Sequence, residues 1–481
     1  MSTAQVLPKE LRLSAPPTMP QARSYLFKQQ STQTKYDSSQ QIVQINIPRL
    51  QRSYLTKDSY LSFRLTPNTA ITASGGGVYF DLPGAFGVID KIEIYDYLGS
   101  TLLESTSGHG QLMALLMDLD CAPSEVAGHF NVIAGTDSSL PTVTTTLTGT
   151  LPGGITGATS ASTAAAIRGS QIKGAGAANL DVTDSFDYAI PLFSFLGSLS
   201  NKFVPLHNGF TIMITLNPGN IYAGTADATA AAGNDFKFDV SNVYMNCQIL
   251  ELGPTAESML LSSSNGQPLV VPAKAYRNYK SSVSAGQYDF RLDLNLNVAS
   301  LTNILWIMRE TSSITTNPGR FKSLSYRLRN NLLSWYFQYG SSILPQTTGI
   351  QAKAKAATNV KNGGCDEAYI ELLKSRHGLN SDIFTTQISK ANYIIDATTA
   401  ANEDALSGLN TNIVGKFAAG LDLELVPGRS QNLICGMNTN GMNTSIYGSF
   451  DNAAVAATVD AWCEYDAFIN ISPGIATTVS F

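Results

Sequence analysis

Apolar and polar residues alternate along many short segments of this chain, which is the pattern of a β-strand with one buried and one solvent-facing side. The clearest case is QYDFRLDLNLNVAS, in which Phe290, Leu292 and Leu294 alternate with Arg291 and Asp293. The same two-residue period occurs in IVQINI, YLSFRL, FTIMITL and VDAWCEYDAFINIS. Because such strands keep one wet face, the pattern predicts antiparallel sheets.

Two short segments have the spacing of an amphipathic helix instead. In GQLMALLMDL, Leu112, Leu115 and Leu119 recur at intervals of three and four residues. In EAYIELLKSRHG, Tyr369 and Leu372 are predicted to share the inner side. One short helix is therefore expected in each half of the chain, within an otherwise β pattern.

The two halves repeat the same order of elements: alternating strands, a hairpin, a short helix, a long low-charge loop and further strands. Between them, ELGPTAESMLLSSSNGQP contains a proline, a short helical piece and a turn, which predicts a linker. We therefore expect an all-β fold of two tandem antiparallel eight-stranded jelly-roll sandwiches, each with a short helix and long loops. The predicted parts are an N-terminal arm (1–37), a first jelly roll (38–252), a linker (253–266) and a second jelly roll with a C-terminal tail (267–481).

Residues 1–37 show neither the two-residue period of a strand nor the spacing of an amphipathic helix, and they are predicted to form a polar arm. Pro16, Pro17 and Pro20 exclude a helix from its middle. The arm could pair with a neighbouring subunit or touch an anionic surface, or it could be a solvated tail that orders only on assembly. Its basic side chains are those of Lys9, Arg12, Arg23, Lys28 and Lys35.

Composition excludes several classes of protein. Hydrophobic residues make up 43% of the 481, charged residues only 14%, and the net charge is −5. Intrinsic disorder needs fewer apolar residues and more charge, and a free-standing nucleic-acid binder is normally basic. The chain has no run of about 18 apolar residues that could span a membrane. Its first residues lack the apolar stretch of a signal peptide, which predicts synthesis and initial use inside a cell.

No residue pattern predicts a metal or cofactor site. The five cysteines are far apart without a CxxC pair, which predicts buried thiols. No two histidines have ligand spacing, which favours capping or surface roles. GLNTNIVGKF contains Gly-Lys, but its spacing is wrong for a phosphate-binding loop. The residues concerned are Cys121, Cys247, Cys365, Cys435, Cys463, His109, His129, His207, His377 and the segment Gly408 to Phe417.

Two features could support carbohydrate chemistry. Glycosidases use a pair of carboxylates, and strand spacing puts Asp422 with Glu424, and Glu464 with Asp466, on one face. Such pairs also occur on ordinary solvated strands. The second feature is an aromatic cluster, which could stack on sugars or bases but is more typical of a strand packed between sheets or at an interface. Its members are Trp335, Tyr336, Phe337 and Tyr339.

Several phrases of the sequence resemble the major capsid proteins of tailless icosahedral DNA viruses, the double jelly-roll proteins of the phage, virophage and polinton-like virus lineage. The similarity lies in IVQINIPRLQRSYLTKDSYLSFRL, VIDKIEIYDYLGSTLLE, SFDYAIPLFSFLGSLSNKFVPLHNGFTIMITLNP and the linker phrase SNVYMNCQILELGPTAESML. It continues in VPAKAYRNYKSSVSAGQYDFRL and covers most of residues 38–345. The resemblance is one of pattern and phrase rather than of a catalytic signature.

The resemblance implies a structural protein that trimerises into pseudo-hexameric capsomers and tiles an icosahedral virion shell. It implies that the arm lies at the inner face, where Lys9, Arg12, Arg23, Lys28 and Lys35 would make contacts. The implied partners are further copies, penton and minor capsid proteins and an internal membrane, without sequence-specific nucleic acid binding. Residues 131–182 and 425–455 become the candidates for outward-facing loops.

Two other functions stay open at this point. A β-sandwich attachment, spike or lectin-like protein would bind glycans saturably and form only small oligomers. A carbohydrate-active jelly-roll enzyme would turn over substrate and lose activity when one carboxylate pair is changed. Duplication of a whole sandwich favours the shell, because three such chains approach six-fold symmetry, whereas a lectin gains no comparable advantage.

Overall fold

The computed structural model of the chain describes residues 22–37, 39–68, 78–136, 171–173, 183–225, 238–311, 324–353, 365–377, 386–388, 393–394, 415–425 and 435–481. The strands of its first half are β1 (Ala22–Gln30), β2 (Lys35–Tyr36), β3 (Ile42–Ile47), β4 (Ser53–Leu55), β5 (Tyr60–Pro67), β6 (Val78–Phe80), β7 (Ile89–Asp96), β8 (Leu102–Ser107), β9 (Gln171–Lys173), β10 (Phe186–Pro191), β11 (Val204–Pro205), β12 (Phe210–Leu216), β13 (Ala223–Thr225) and β14 (Phe238–Leu252).

The second half is built in the same way. Its strands are β15 (Leu269–Val283), β16 (Asp289–Leu294), β17 (Leu301–Glu310), β18 (Leu332–Tyr339), β19 (Ser342–Leu344), β20 (Ile350–Gln351), β21 (Ala419–Asp422), β22 (Thr444–Phe450), β23 (Ala457–Ser472) and β24 (Ala476–Ser480). The helices are a 3-10 turn (Gly84–Val88), α1 (His109–Asp120), α2 (Pro123–Val126), α3 (His129–Ala134), α4 (Gly219–Tyr222), α5 (Pro254–Ser263) and α6 (Asp366–His377).

Antiparallel sheets form the first sandwich. One sheet has the order β10-β5-β14-β4-β11, with β1 and β2 also pairing to β14, and the other has the order β3-β12-β7-β8. A small sheet, β13-β6-β9, lies beside them. The inward sides of the strands meet in one apolar core that includes Ile45, Leu61, Ile92 and Ile212.

The second sandwich consists of two five-stranded antiparallel sheets. One has the order β15-β23-β17-β21 with β24 on β23, and the other has the order β16-β22-β18-β19 with β20 on β18. Ten strands in the described part exceed the eight predicted because short pieces such as β19 and β20 extend the sheets. The all-β prediction of two tandem jelly-roll sandwiches is otherwise confirmed.

Several local predictions are confirmed as well. β7 and β8 form the expected hairpin, and Gly99 in its turn has a φ of 72°, which side chains other than glycine rarely adopt. The turn before β18 contains Asn330 and Asn331, with φ of 57° and 59°. Both predicted helices form, as α1 and α6. Leu372 on α6 is fully buried, as expected.

Regular structure begins earlier than the sequence predicts. Residues 22–30, assigned to an arm without periodicity, form strand β1, which pairs along its whole length with β14. Tyr25 and Phe27 pack against the first core, but Leu26 between them is exposed, which hides the alternation. Within one predicted outer loop, 425–455, residues 444–450 form strand β22 in the middle of a sheet. Of the other, 131–182, residues 137–170 and 174–182 lie outside the described residues.

Each of the two hydrophobic cores contains residues from the other predicted domain. The leucines of α1, a helix of the first half, are buried in the second core. Leu324 of the second half is buried in the first core, together with residues from the ends of β15 and β23. The α1 leucines are Leu112, Leu115, Leu116 and Leu119. The boundary in space therefore differs from the boundary along the chain.

Candidate functional site: a buried ionic junction

The C-terminal end of α1 brings two carboxylates against the second sandwich. Asp118 forms an ion pair with Arg327, and its Oδ2 lies 3.0 Å from the Nζ of Lys416. Both cationic side chains are 1% exposed or less. A carboxylate at a helix C-terminus faces the negative end of the helix dipole, so these cations also offset that repulsion.

A second set of ion pairs continues the contact. Arg376 on α6 bonds to Asp120 of α1, and its Nη1 donates to the Oε2 of Glu464 over 3.1 Å. The Tyr276 hydroxyl donates to the same oxygen over 2.8 Å. We call Asp118, Asp120, Arg327, Arg376, Lys416 and Glu464 the ionic junction.

Burial changes the proton affinities in the ionic junction. It lowers the pKa of Lys416 to about 8, although Asp118 acts in the opposite direction. Burial would also lower the pKa of Arg376, but Asp120, Tyr276 and Glu464 outweigh it and hold that pKa well above its ordinary value. Removing ions from water costs several kcal/mol each, which only close counter-charges can offset. Each of these ions accordingly has an opposite charge beside it.

Asp81 fixes the same region from the first sandwich. Its carboxylate accepts hydrogen bonds from the Ser325 hydroxyl at 2.5 Å and from the backbone N–H of Leu324 at 3.0 Å. Burial raises the pKa of Asp81, while these hydrogen bonds oppose the shift. The segment that carries Arg327 to Asp118 is thus anchored by a second carboxylate.

Three of the four carboxylates considered for glycosidase chemistry lie within 4 Å of a lysine. The Nζ of Lys274 lies 3.0 Å from Asp466, 3.7 Å from Glu424 and 3.9 Å from Glu464. Asp466 also accepts a hydrogen bond from the Ser300 hydroxyl at 2.5 Å. The geometry therefore favours a structural role for these pairs.

Cysteines and histidines occupy different settings. Cys247, Cys365, Cys435 and Cys463 are buried as predicted, and Cys121 is half-buried. His129 is exposed at the start of α3, as expected for a surface role, and α6 ends at His377. His109, the first residue of α1, is buried, and burial lowers its pKa to about 4. His207 contacts Glu257 of α5 at 2.5 Å with both side chains buried, a pair that the sequence spacing does not reveal.

The aromatic cluster on β18 divides between the two sides of its strand. Trp335 and Phe337 are fully buried, which confirms packing between sheets. Tyr336 lies on the outer side, stacked on Tyr447 with ring centroids 5.2 Å apart, and Arg291 lies over the Tyr447 ring. The outer face of this sheet therefore carries a short aromatic and cationic row.

Of the five basic residues proposed for inner-face contacts, the structure describes Arg23, Lys28 and Lys35, and two of these form ion pairs within the chain. Arg23 pairs with Glu251 at 2.7 Å, and Lys35 pairs with Asp239 at 2.7 Å. Lys28 is exposed on β1 opposite Asn246. Lys9 and Arg12 lie outside the described residues. Contacts with another molecule through these residues stay a prediction.

Glu104 offers a test of how burial affects a carboxyl group in this protein. Its carboxyl is buried on β8 and accepts a hydrogen bond from the Phe195 N–H at 3.0 Å, and burial raises its pKa from 4.5 to about 8. The pKa of Glu104 is higher in the folded than in the unfolded protein, so the protonated carboxyl stabilises the fold. This contribution is complete below pH 4.5 and is lost as the pH rises through 8. Glu104→Gln should therefore gain stability over the wild type between pH 5 and 8, by up to about 1.4 kcal/mol per pH unit. Thermal unfolding of both proteins from pH 5 to 9 measures the difference, and parallel curves would contradict it.

Sequence reasoning missed the ionic junction. A signal exists in LSYRLRN, where Arg327 and Arg329 alternate with apolar residues in a segment that is almost entirely buried. Nothing in the sequence pairs these arginines with Asp118, which lies 209 residues away. Among the described residues, no group of three or more His, Cys, Asp or Glu could hold a metal ion. No helix in the described ranges is long and apolar enough to cross a membrane.

This chain resembles known proteins in structure alone. No protein-family model and no curated protein matches the sequence. The quasi-atomic model of the PBCV-1 virus capsid matches with a TM-score of 0.57 at 8% identity, over 97% of this chain and 98% of that one. The Faustovirus major capsid protein gives 0.55 at 11% identity, over 98% and 93%. The mavirus major capsid protein gives 0.51 at 11% identity, over 100% and 96%. These are double jelly-roll capsid proteins, so the predicted fold is confirmed over the full length.

Proposed function

We propose that this chain is the structural major capsid protein of an icosahedral virus, and that it trimerises into pseudo-hexameric capsomers that tile the shell. The observation that supports this most strongly is a doubled jelly roll whose halves are fused by a shared core and the ionic junction. The whole-length likeness of fold to capsid proteins supports the same conclusion.

Fusion of two sandwiches suits a lattice subunit. Three chains with two similar sandwiches each present six near-equivalent units around a three-fold axis, and a repeated heterologous contact closes such a ring. A regular lattice requires the two units to keep one angle, and the shared cores and the ionic junction favour this. The charged fraction of only 14% also limits repulsion between many copies.

The partners in this proposal are further copies of the chain, penton proteins and minor capsid proteins, with an internal membrane as a further candidate. The protein would reside in the virion shell after synthesis in the host cell. Lys9, Arg12, Arg23, Lys28 and Lys35 are proposed to face the inner side. Arg23 and Lys35 already pair with carboxylates of the same chain, so Lys28 is the described residue best placed for an external contact. No sequence-specific nucleic acid binding is proposed.

A glycan-binding attachment or spike protein is the second candidate, and one observation favours it. The stacked Tyr336 and Tyr447, with Arg291 over the second ring, lie on the outer side of their sheet. Aromatic faces beside polar side chains can bind sugars. An enzymatic role has less support, because the candidate carboxylates contact Lys274 and Arg376.

Solution mass distinguishes these functions. The capsid proposal expects light scattering of the purified chain to give three times 51.3 kDa, and negative-stain images of the same sample to show hexagonal particles or shells without added ligand. A strict monomer across salt and pH, combined with saturable glycan binding that Tyr336→Ala and Tyr447→Ala abolish, would replace it with the attachment function.

A further inference from the structure

The described chain begins beside helix α5. Ala22, the first residue of β1, pairs with Leu252, the last residue of β14. Pro254, the first residue of α5, follows two positions later. Residues 1–21 are therefore tethered at this end of the first sandwich.

The same end exposes several large apolar side chains. On α5, Met259 is 65% exposed and Leu260 38%, whereas Ala256 and Glu257 of that helix are buried. Three further side chains, 49%, 53% and 85% exposed respectively, are those of Phe203, Val270 and Ile475. We call Phe203, Met259, Leu260, Val270 and Ile475 the apolar rim.

Hydrogen bonds tie the parts of the apolar rim together. His207 contacts Glu257 at 2.5 Å and so fixes α5 against the loop that follows β11. The adjacent Asn208 donates to the Ser472 carbonyl at 2.9 Å and accepts from the Gly474 N–H at 2.8 Å. These bonds hold the turn that carries Ile475 next to the same loop. The exposed apolar residues therefore belong to one end of the molecule and are not scattered.

We propose that residues 1–21 of the same chain bind the apolar rim. Besides Met1, this segment contains five large apolar side chains and only three charged ones, Lys9, Glu10 and Arg12. Fully extended it would reach about 70 Å, so the rim at its point of attachment is well within range. A short tether also gives the segment an effective concentration of about millimolar at the rim. The apolar side chains are Val6, Leu7, Leu11, Leu13 and Met19.

This inference goes beyond the capsid proposal, because it concerns the single chain whether or not shells form. Burial of the rim by the segment removes apolar surface from water on both sides of the contact. In the sequence Lys9 and Arg12 lie close to Leu11, and on the rim the exposed Lys202 precedes Phe203.

The first test removes the segment and adds it back. A chain lacking residues 2–21 should bind the dye anilinonaphthalene sulfonate at least about threefold more strongly than the full chain, since dye binding reports exposed apolar surface. A synthetic peptide of residues 1–21 should bind this shortened chain saturably and displace the dye. The double substitution Met259→Ser and Ile475→Ser should weaken peptide binding by at least about tenfold.

Matched controls lie at exposed apolar positions outside the rim. Val132 is 80% exposed on α3, and Tyr288 is 63% exposed before β16. Val132→Ser and Tyr288→Ser should leave peptide binding unchanged within about twofold. Equal dye binding by the full and shortened chains, or peptide binding that the Met259 and Ile475 substitutions do not weaken, would overturn the proposal.

Cross-linking tests whether residues 1–21 bind the apolar rim of their own chain or that of another copy. An amine-reactive reagent should join Lys9 to Lys202 in a mixture of unlabelled and heavy-isotope-labelled protein, and the joined peptides should carry one label only. Mixed-label pairs would show exchange between copies and would overturn the same-chain proposal. Binding of the shortened chain to lipid vesicles without competition from the peptide would assign the rim to a membrane surface instead. Neither result depends on shell assembly, so failure here leaves the capsid proposal standing.

Discussion

Asp118→Ala is expected to lower the free energy of unfolding by about 3–5 kcal/mol, because it leaves Arg327 and Lys416 buried without their shared counter-ion. Urea unfolding followed by circular dichroism measures the loss. The matched control is Asp293→Ala, which removes a carboxylate paired with Arg291 where both side chains are more than half exposed. That change should cost no more than about 1 kcal/mol.

The pH dependence of this variant gives an independent check. Asp118 opposes the effect of burial on the pKa of Lys416, which is about 8 in the intact protein. Without Asp118 the pKa falls further. A lysine whose pKa is lower in the folded than in the unfolded protein destabilises the fold, and this loss grows as the pH falls to the folded pKa. The stability lost by Asp118→Ala should therefore be larger at pH 6 than at pH 9. A deficit equal to that of Asp293→Ala at both pH values would show that Asp118 does not hold the junction.

The sequence predicts the strands well where one side of each strand is wet. The alternation in β3, β5 and β16 matches their buried and solvent-facing sides residue by residue, and in β12 Thr211 departs from it because it is buried. Strand β1 was not predicted from its periodicity because the exposed Leu26 interrupts the alternation. Local periodicity therefore locates a strand only when the solvent side is polar.

The ionic junction could not be predicted in this way. Asp118, Arg327 and Arg376 come from three separate segments, and a charged residue on a short element usually belongs to a solvated face. Their burial arises only when α1 enters the second core. The leucines of α1 predict a helix with a buried side, but they do not reveal which core buries it.

Shared cores and buried ion pairs make the two sandwiches depend on each other. Residues of each half complete the core of the other, so neither half can bury its apolar surface fully alone. Buried ion pairs add little net stability over an apolar contact, but they penalise wrong orientations, because a displaced ion would lose its partner. We therefore expect the junction to restrict the angle between the sandwiches, which the capsid proposal needs.

Trp462 is the residue on which this dependence can be tested most directly. It is fully buried on β23 in the second core, and its Nε1 donates to the Ser107 carbonyl of the first half over 3.1 Å. Its ring also packs against Gly108, whose φ of 64° turns the chain into α1. Trp462→Ala is expected to cost about 3–5 kcal/mol, from lost burial and the cavity that remains.

The comparison variant is Trp335→Ala. Trp335 is equally buried, but its ring packs against Trp306 inside the second sandwich, with centroids 5.4 Å apart. Both changes should destabilise the protein by similar amounts. Only Trp462→Ala should also separate unfolding into two transitions, seen as a lower denaturant slope, because it loosens the contact that couples the halves. A single sharp transition in both variants would mean that the ionic junction alone is sufficient to couple the two sandwiches.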